Sequence, residues 1–402
     1  MALLPVEEAL ARVLRGAEPT APEPVALAAA RGRVLASPLQ ALLTQPPFDA
    51  AMMDGYAVRA ADAASLPVTL TVTGEAAAGH AFAGSVGARE AVRISTGAPV
   101  PPGADVVVMQ ENASRDGARV VLQAGEPDPG GNIRPTGADF RAGDTLLLPG
   151  RQLGAREIAL AAAMGHATVD VRRRPRVAVL ATGDELVAPG GRPGPGQIIA
   201  SNHLGVAALA EAAGAAVTQL GIARDTAEDL LAHIAEAKGA DILVTIGGAS
   251  VGDHDLVAPV LSGRGMTLAF WKIAMQPGKP LMFGRLGGLR VLGLPGSPVS
   301  SLVCARLFLV PLIHAMLDRP ADSARRLEAR LAVPLAANGE RQHYLRARST
   351  PCADGSLQVT PVRSQDSSLL SPLAEADCLL VRPPHAPAAA PGAAVPILPL
   401  DF

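Results

Sequence analysis

Cysteine is scarce: the 402 residues contain three, Cys304, Cys352 and Cys378, an odd number set far apart. That spacing excludes a disulfide scaffold and the paired knuckles of a structural zinc site, and it fits a reducing cytoplasm. Excess positive charge is also missing, with 35 Lys and Arg against 37 Asp and Glu, a net charge of -2 and a pI of about 6.5. Without a global positive field, nucleic acid is not an expected partner, and any anion site must be local. No uninterrupted stretch reaches membrane-spanning length. The nearest, "VSSLVCARLFLVPLIHAML", is broken by Arg306, Pro311 and His314, so it reads as a buried helix and no membrane partner is expected. The N-terminal "MALLPVEEALARVLRG" lacks a basic start before an apolar run and carries Glu7 and Glu8. It reads as an amphipathic helix, not a secretion signal. The single tryptophan, Trp271, reads as core in preference to a stacking platform.

A chain of this length divides into about two to four domains at roughly 100–200 residues each. From 176 to 316 strands alternate with helices: "RVAVLATG", "HLGVAALAEAAGA", "AVTQLGIA", "AEDLLAHIAEAKGA", "DILVTIGG" and "LRVLGLPGSP". This alternation implies a parallel, doubly wound α/β sheet with ligands beyond the carboxyl ends of its strands. Residues 66–150 and 328–400 show short alternating runs punctuated by Gly and Pro, which are β modules. "REIALAAAMG" at 156–165 reads as a helix packing with N-terminal helices near 5–15 and 22–30. The expected division is 1–45 with 145–175 as a helical linking unit, 46–144 as an inserted small β unit, 176–320 as the α/β unit, and 321–402 as a barrel-like β unit.

Three strand exits in the α/β region should share one crevice: "TGDE" at 182–185, "TIGGASVGDHD" at 245–255 and "LPGSPVS" at 294–300. The first two supply Asp184, Glu185, Asp253 and Asp255, hard oxygen donors that suit Mg²⁺ beside a phosphate. The third supplies a glycine turn at a helix start, where free N–H groups hold an anion. A single acid after a strand is commonly only a cap or a solvated loop residue; four at two exits of one sheet point to chemistry. "IGGASVG" has neither the Walker A nor the G-x-G-x-x-G spacing. In "FWKIAMQPGKPLMFG", Pro277, Gly278 and Pro280 fix the backbone around Lys272 and Lys279, and a fixed Lys279 can capture an oxyanion where an edge lysine would otherwise be a solvated guard. The N-terminal half presents Asp49, Asp54, Thr96, Glu111, Arg134 and Asp139 on Pro- and Gly-dense loops.

Seven blocks follow one another in order: "PPFDAAMMDGYAVR", "STGAPVPPGADVVVMQE", "NIRPTGADFRAGD", "TGDELVAPG", "GGASVGDHD", "PGKPLMFG" and "GLPGSPVS". Together they closely resemble the molybdopterin molybdenumtransferase family, which includes MoeA and the E domain of gephyrin, over nearly the whole chain. The resemblance implies a central MogA-like α/β domain flanked by small β domains and a helical segment. It implies an enzyme that takes adenylated molybdopterin and molybdate, with Mg²⁺, and releases AMP and molybdenum cofactor.

On that resemblance Asp54, Thr96, Asp139, Glu185 and Asp255 are the catalytic candidates, with Glu185, Asp253 and Asp255 at the metal. Thr182, Gly183, Asp184, Ser201, Asn202, Gly247, Gly248, Ser250, Gly252, Lys272, Pro295, Gly296, Ser297 and Pro298 are the substrate-binding candidates. Gln276, Lys279, Arg346 and Ser367 are assigned to molybdate, a tetrahedral dianion suited to Lys and Arg donors plus a hydroxyl. The resemblance also implies a homodimer in which the small β unit of one subunit faces the cleft of the other, and an adenylyltransferase as a possible docking partner. Two positions depart from the family pattern: Ala200 stands where an acid is common, and Gln276 where Lys or Arg is frequent. A receptor-clustering scaffold with dead chemistry is a rival reading, but the chain keeps Asp54, Glu185 and Asp255. A nucleotide-processing enzyme sharing only the α/β unit is another, and the "MDGYAVR" block and the C-terminal β module argue against it.

Overall fold

The structure, a computed structural model, describes residues 3–125, 127–248, 256–319 and 326–400. At its centre six strands lie in the order Ala216–Ala223, Arg176–Thr182, Ile242–Ile246, Leu289–Leu294, Met282–Leu286 and Thr267–Trp271. The first four run parallel. The α/β expectation holds, with one difference: Met282–Leu286 is antiparallel to both its neighbours. The Pro-Gly segment 277–280 and the tight "GG" turn at 287–288 return the chain without the helical crossover that parallel pairing requires.

The core strands are near-continuous apolar runs because both faces of the sheet are covered. Val177, Val179, Val244 and Leu292 face the helices Asn202–Ala212 and Pro298–Met316, while Ala178, Leu180, Leu243 and Val291 face Ala227–Glu236 and Val257–Gly263. The segment Pro298–Met316 is long and apolar enough to span a bilayer, yet 83% of it is buried inside the protein. Its hydrogen bonding widens to a π-turn at Ala305–Leu309, just before Pro311, a residue with no N–H to continue the regular ladder.

Two helical expectations need correction. Residues 22–30 form no α-helix: Pro22–Ala26 is a strand paired with Thr168–Arg172, followed by one turn at Leu27–Ala29. Pro22 and Pro24 lack the N–H groups a helix needs but are tolerated at a sheet edge. The helix Val6–Leu14 exists but does not pack with Ala155–Ala163. Its buried residues Val6, Ala9 and Val13 join the core around Leu312 and Ile313, whereas Ala161 and Met164 pack with Leu27, Leu35 and Val169. Trp271 is half-buried against the sheet core.

On the N-terminal side a second six-stranded sheet runs in the order Val106–Met109, Gly55–Val58, Glu90–Ile94, Val68–Ala76, Arg119–Leu122 and Ala113–Asp116. On the C-terminal side the strand Gln342–Pro351 pairs with Leu357–Pro361 and with Cys378–Arg382. Because Cys378–Arg382 also reaches Ala394–Pro399, and that strand Leu327–Leu331, the five close into a barrel. Met275–Gln276 adds to the same Gln342–Pro351 strand, tying the barrel to the central sheet.

Leu180 is fully buried in a central strand, whereas Leu148 is 64% exposed. Leu180→Ala is expected to destabilise by about 2–5 kcal/mol and Leu148→Ala by less than about 0.5 kcal/mol, read from the urea midpoints of the two variants. Equal midpoints would show that the central sheet does not limit stability.

Candidate functional site

The exits of the Thr182, Ile246 and Leu294 strands meet at one edge of the central sheet, together with the start of the helix Asn202–Ala212. A pocket there is lined by Thr182, Glu185, Ala200, Ser201, Asn202, His203, Gly247, Gly296 and Pro298, with Leu186, Ile198 and Ile199 as its apolar side. Local backbone explains the convergence. Gly247 has φ +95°, and a Cβ on it would lie 2.5 Å from the Thr182 carbonyl oxygen, so only glycine lets the second exit close on the first. Gly183 allows Glu185 to fold back, because a Cβ there would meet Glu185 Oε2 at 2.3 Å. Asn202 Nδ2 donates to the Gly296 carbonyl at 2.7 Å and fastens the helix start to the third exit. Gly248 continues the turn at φ +60°, and Pro295 is buried. Ser250, Gly252, Asp253 and Asp255 lie outside the described residues.

Asp184 is exposed beside the pocket and exchanges hydrogen bonds with Asp225: each carboxylate accepts the other's backbone N–H, at 3.2 and 3.4 Å. Asp225 is absent from the sequence candidates. Its signal was available, since it follows the Ala216–Ala223 strand as Asp184 follows Arg176–Thr182. His203 was also passed over, although it adjoins Ser201 and Asn202. It is 6% exposed, and burial pushes its imidazole below the ordinary range, towards the neutral form.

Lys272 ends the Thr267–Trp271 strand at the same sheet edge, in a left-handed conformation with φ 74°. Such a backbone is uncommon outside glycine and costs about 1–3 kcal/mol, which a functional position can justify. Its N–H donates to the Leu281 carbonyl, and the Ile273 N–H to the Lys279 carbonyl, closing the loop that presents Gln276 and Lys279. Both side chains are exposed.

Arg346 differs from them. It is 1% exposed, and Nη1 donates to the carbonyls of Asp366 and Leu369 at 2.9 and 3.3 Å. It therefore braces the loop carrying Ser367. That loop reaches the central sheet, because the Val299 N–H donates to the Ser367 carbonyl beside Ser297 and Pro298.

Asp54 and Thr96 come together on the N-terminal sheet: Asp54 Oδ1 accepts both the Thr96 N–H and its hydroxyl, at 2.7 and 2.9 Å. These bonds hold the Asp54 carboxyl below its usual range. Asp139 is exposed on the neighbouring loop, its N–H bonded to the Gln45 carbonyl. Neither Asp54 nor Thr96 bonds to the cleft among the described residues. A larger groove of about 930 Å³ lies elsewhere, between Leu146–Gly150, Arg156 and Arg319. Its acids are already ion-paired, Glu157 with Arg151 and Asp318 with Arg172, so it offers no free base.

Comparison with known proteins accounts for nearly the whole chain. Residues 4–165 match the family described as "MoeA N-terminal region (domain I and II)", 178–315 the "Probable molybdopterin binding domain" and 328–400 the "MoeA C-terminal region (domain IV)". A molybdopterin molybdenumtransferase of Haemophilus influenzae is 36% identical over 365 residues, 90% of each chain. One of Nostoc sp. is 41% identical over 302 residues, 73% of this chain and 69% of its own, and one of Bacillus subtilis 34% over 388 residues, 94% and 90%. A crystal structure of a molybdopterin biosynthesis MoeA protein from Pyrococcus horikoshii superposes with a TM-score of 0.84 at 27% identity, over 99% of this chain and 100% of that one. Another structure, titled as a molybdopterin biosynthesis MoeA protein from Pyrococcus horikosii, gives 0.85 at 32% identity, over 100% of both chains.

Gly247→Ala is expected to disrupt the cleft through a backbone clash. Gly190 has a similar φ of +91° but open space around its missing Cβ, so Gly190→Ala carries only the backbone cost of about 1 kcal/mol. The melting temperature should fall further in Gly247→Ala. Equal falls would mean that the two strand exits are not in contact.

Proposed function

We propose, from the premise that this chain belongs to the MoeA family of molybdopterin molybdenumtransferases, that its cleft inserts molybdate into adenylated molybdopterin and releases AMP. The chain is a transferase of molybdenum cofactor biosynthesis. The observation that carries the finer reading is the meeting of Glu185, Asn202, Gly247 and Gly296 in one pocket, with the Ser367 loop bonded beside it.

In this reading Gly247, Gly248, Gly296 and the N–H groups starting the two helices hold the adenylated substrate, and Ser201, Asn202 and Lys272 orient it. Lys279 and Ser367 receive molybdate as a dianion. Gln276 offers an uncharged amide to the same anion, and Arg346 acts by holding Ser367 in place. Mg²⁺ suits the donors: Glu185 on the cleft wall and the Asp184–Asp225 pair are hard oxygens, although no group of three or more His, Cys, Asp or Glu side chains is gathered among the described residues. An ion that keeps several waters and takes phosphate oxygens fits so sparse a set. Glu185, Asp253 and Asp255 would hold it, and when bound it would neutralise charge at the phosphoanhydride. The dithiolene that receives the metal belongs to the substrate, so the protein's part is positioning and charge.

Asp54, Thr96 and Asp139 complete the site in a homodimer, presented by the N-terminal sheet of one subunit to the cleft of the other. The exposed Phe48, Met52 and Met53 beside Asp54 would meet the partner. A cytoplasmic location and docking of the adenylyltransferase belong to the same proposal. The scaffold reading is separated by catalysis: mixing the protein with adenylated molybdopterin, molybdate and Mg²⁺ should release AMP, and a protein that releases none under any metal condition is not an insertase.

Glu185→Gln and Asp255→Asn should each abolish molybdate-dependent AMP release with melting temperatures close to that of the unsubstituted protein. Normal turnover in either variant removes that residue from the mechanism.

Ala200, 3% exposed, lines the pocket with Glu185. Ala200→Asp adds a negative charge beside the cation and should lower the Mg²⁺ concentration for half-maximal AMP release. An unchanged or raised requirement, in a variant that melts normally, means that position 200 does not serve the metal.

A further inference from the structure

The proposed chemistry leaves two enclosed polar atoms on pocket-lining residues unused. His203 Nδ1 is enclosed without a hydrogen-bond partner among the described residues, and so is the hydroxyl of Thr182, a residue 7% exposed. Both side chains line the same pocket. Leaving a buried polar atom without a partner is costly, so two on side chains that line one cavity mark a place where a ligand could supply the missing bonds.

The character of that ligand follows from the surroundings. Burial shifts the imidazole towards its neutral form, which presents one donor and one acceptor and no charge. A phosphate would call for a cation; a neutral donor–acceptor pair calls for a neutral polar edge. Ile198 and Ile199 stand exposed at the mouth, 57% and 38%, forming an apolar wall of the same pocket. An apolar wall together with these polar groups fits a planar nitrogen heterocycle, apolar on its faces and hydrogen-bonding along its edge.

We propose that His203, assisted by the Thr182 hydroxyl, is a specificity-determining residue that reads the edge of a nitrogen heterocycle entering this pocket. The inference rests on the substrate cleft proposed above and adds to it the means of ring recognition. Adenine and pterin rings share the required chemistry, so the test carries an arm for each.

Full-length protein is titrated calorimetrically with AMP, with ribose 5-phosphate and with 6-hydroxymethylpterin. His203→Leu should weaken AMP or the pterin by about tenfold, the loss of one net hydrogen bond, and leave ribose 5-phosphate within twofold. His203→Asn, whose amide reaches the position of Nδ1, should restore most of that affinity, which a merely structural role would not predict. Loss confined to AMP assigns the adenine ring; loss confined to the pterin assigns that ring. Unchanged affinity for both, or an equal loss for ribose 5-phosphate, overturns the proposal. Should His203→Leu fail to fold, Thr182→Val decides: a loss of threefold or more for a ring probe supports the proposal and no loss overturns it. A protein that releases AMP from adenylated molybdopterin but binds neither ring probe refutes the role of His203 and leaves the insertase reading intact. His203-dependent ring binding without AMP release refutes the insertase reading alone.

Discussion

Gly247 approaches Thr182 so closely that a single added carbon would stand 2.5 Å from its carbonyl oxygen, and the rest of the cleft depends on that approach. Both faces of the central sheet are sealed by helices, leaving polar chemistry only the carboxyl edge of the strands. Closing one exit on the next turns that edge into an enclosed pocket. Asn202, bonded to the Gly296 carbonyl, then fixes the third side. The same enclosure buries the His203 imidazole and favours its neutral form.

Much of this was legible in the sequence where the physical signal was local and repeated. Strands and helices alternating from 176 to 316, with glycines at the exits, specified the α/β layer and directed attention to Thr182, Glu185, Gly247 and Gly296. The antiparallel Met282–Leu286 strand was less visible, because an apolar run reads the same in either direction and the turn at its end decides the pairing. Residues 22–30 are rich in alanine, but Pro22 and Pro24 outweigh alanine's helix propensity. The partner of the helix Val6–Leu14 was not legible at all, since an amphipathic face tells that something covers it but not what.

The candidate site divides in the same way. Acids at strand exits could be found by rule, and applying the rule to the Ala216–Ala223 strand would have added Asp225. His203 carries no such rule: its significance lies in an enclosed Nδ1 with no partner among the described residues, which burial alone reveals. Arg346 shows the opposite limit. Its charge pointed to an anion, whereas its burial and its bonds to the Asp366 and Leu369 carbonyls point to support of a loop.

That support explains how a barrel far along the sequence is joined to the central α/β layer. The barrel reaches the sheet through Met275–Gln276, paired with Gln342–His343, and through the Ser367 carbonyl, which accepts the Val299 N–H at the start of the helix Pro298–Met316. The helix start would otherwise leave that N–H without a partner, so the bond serves the helix and the loop together. Arg346, buried beneath the loop, holds the carbonyls on either side of Ser367 and limits its motion. A guanidinium with several donors in a fixed fork does this better than a lysine, which offers one rotatable point charge. The barrel thus meets the start of the helix Pro298–Met316 through a braced loop.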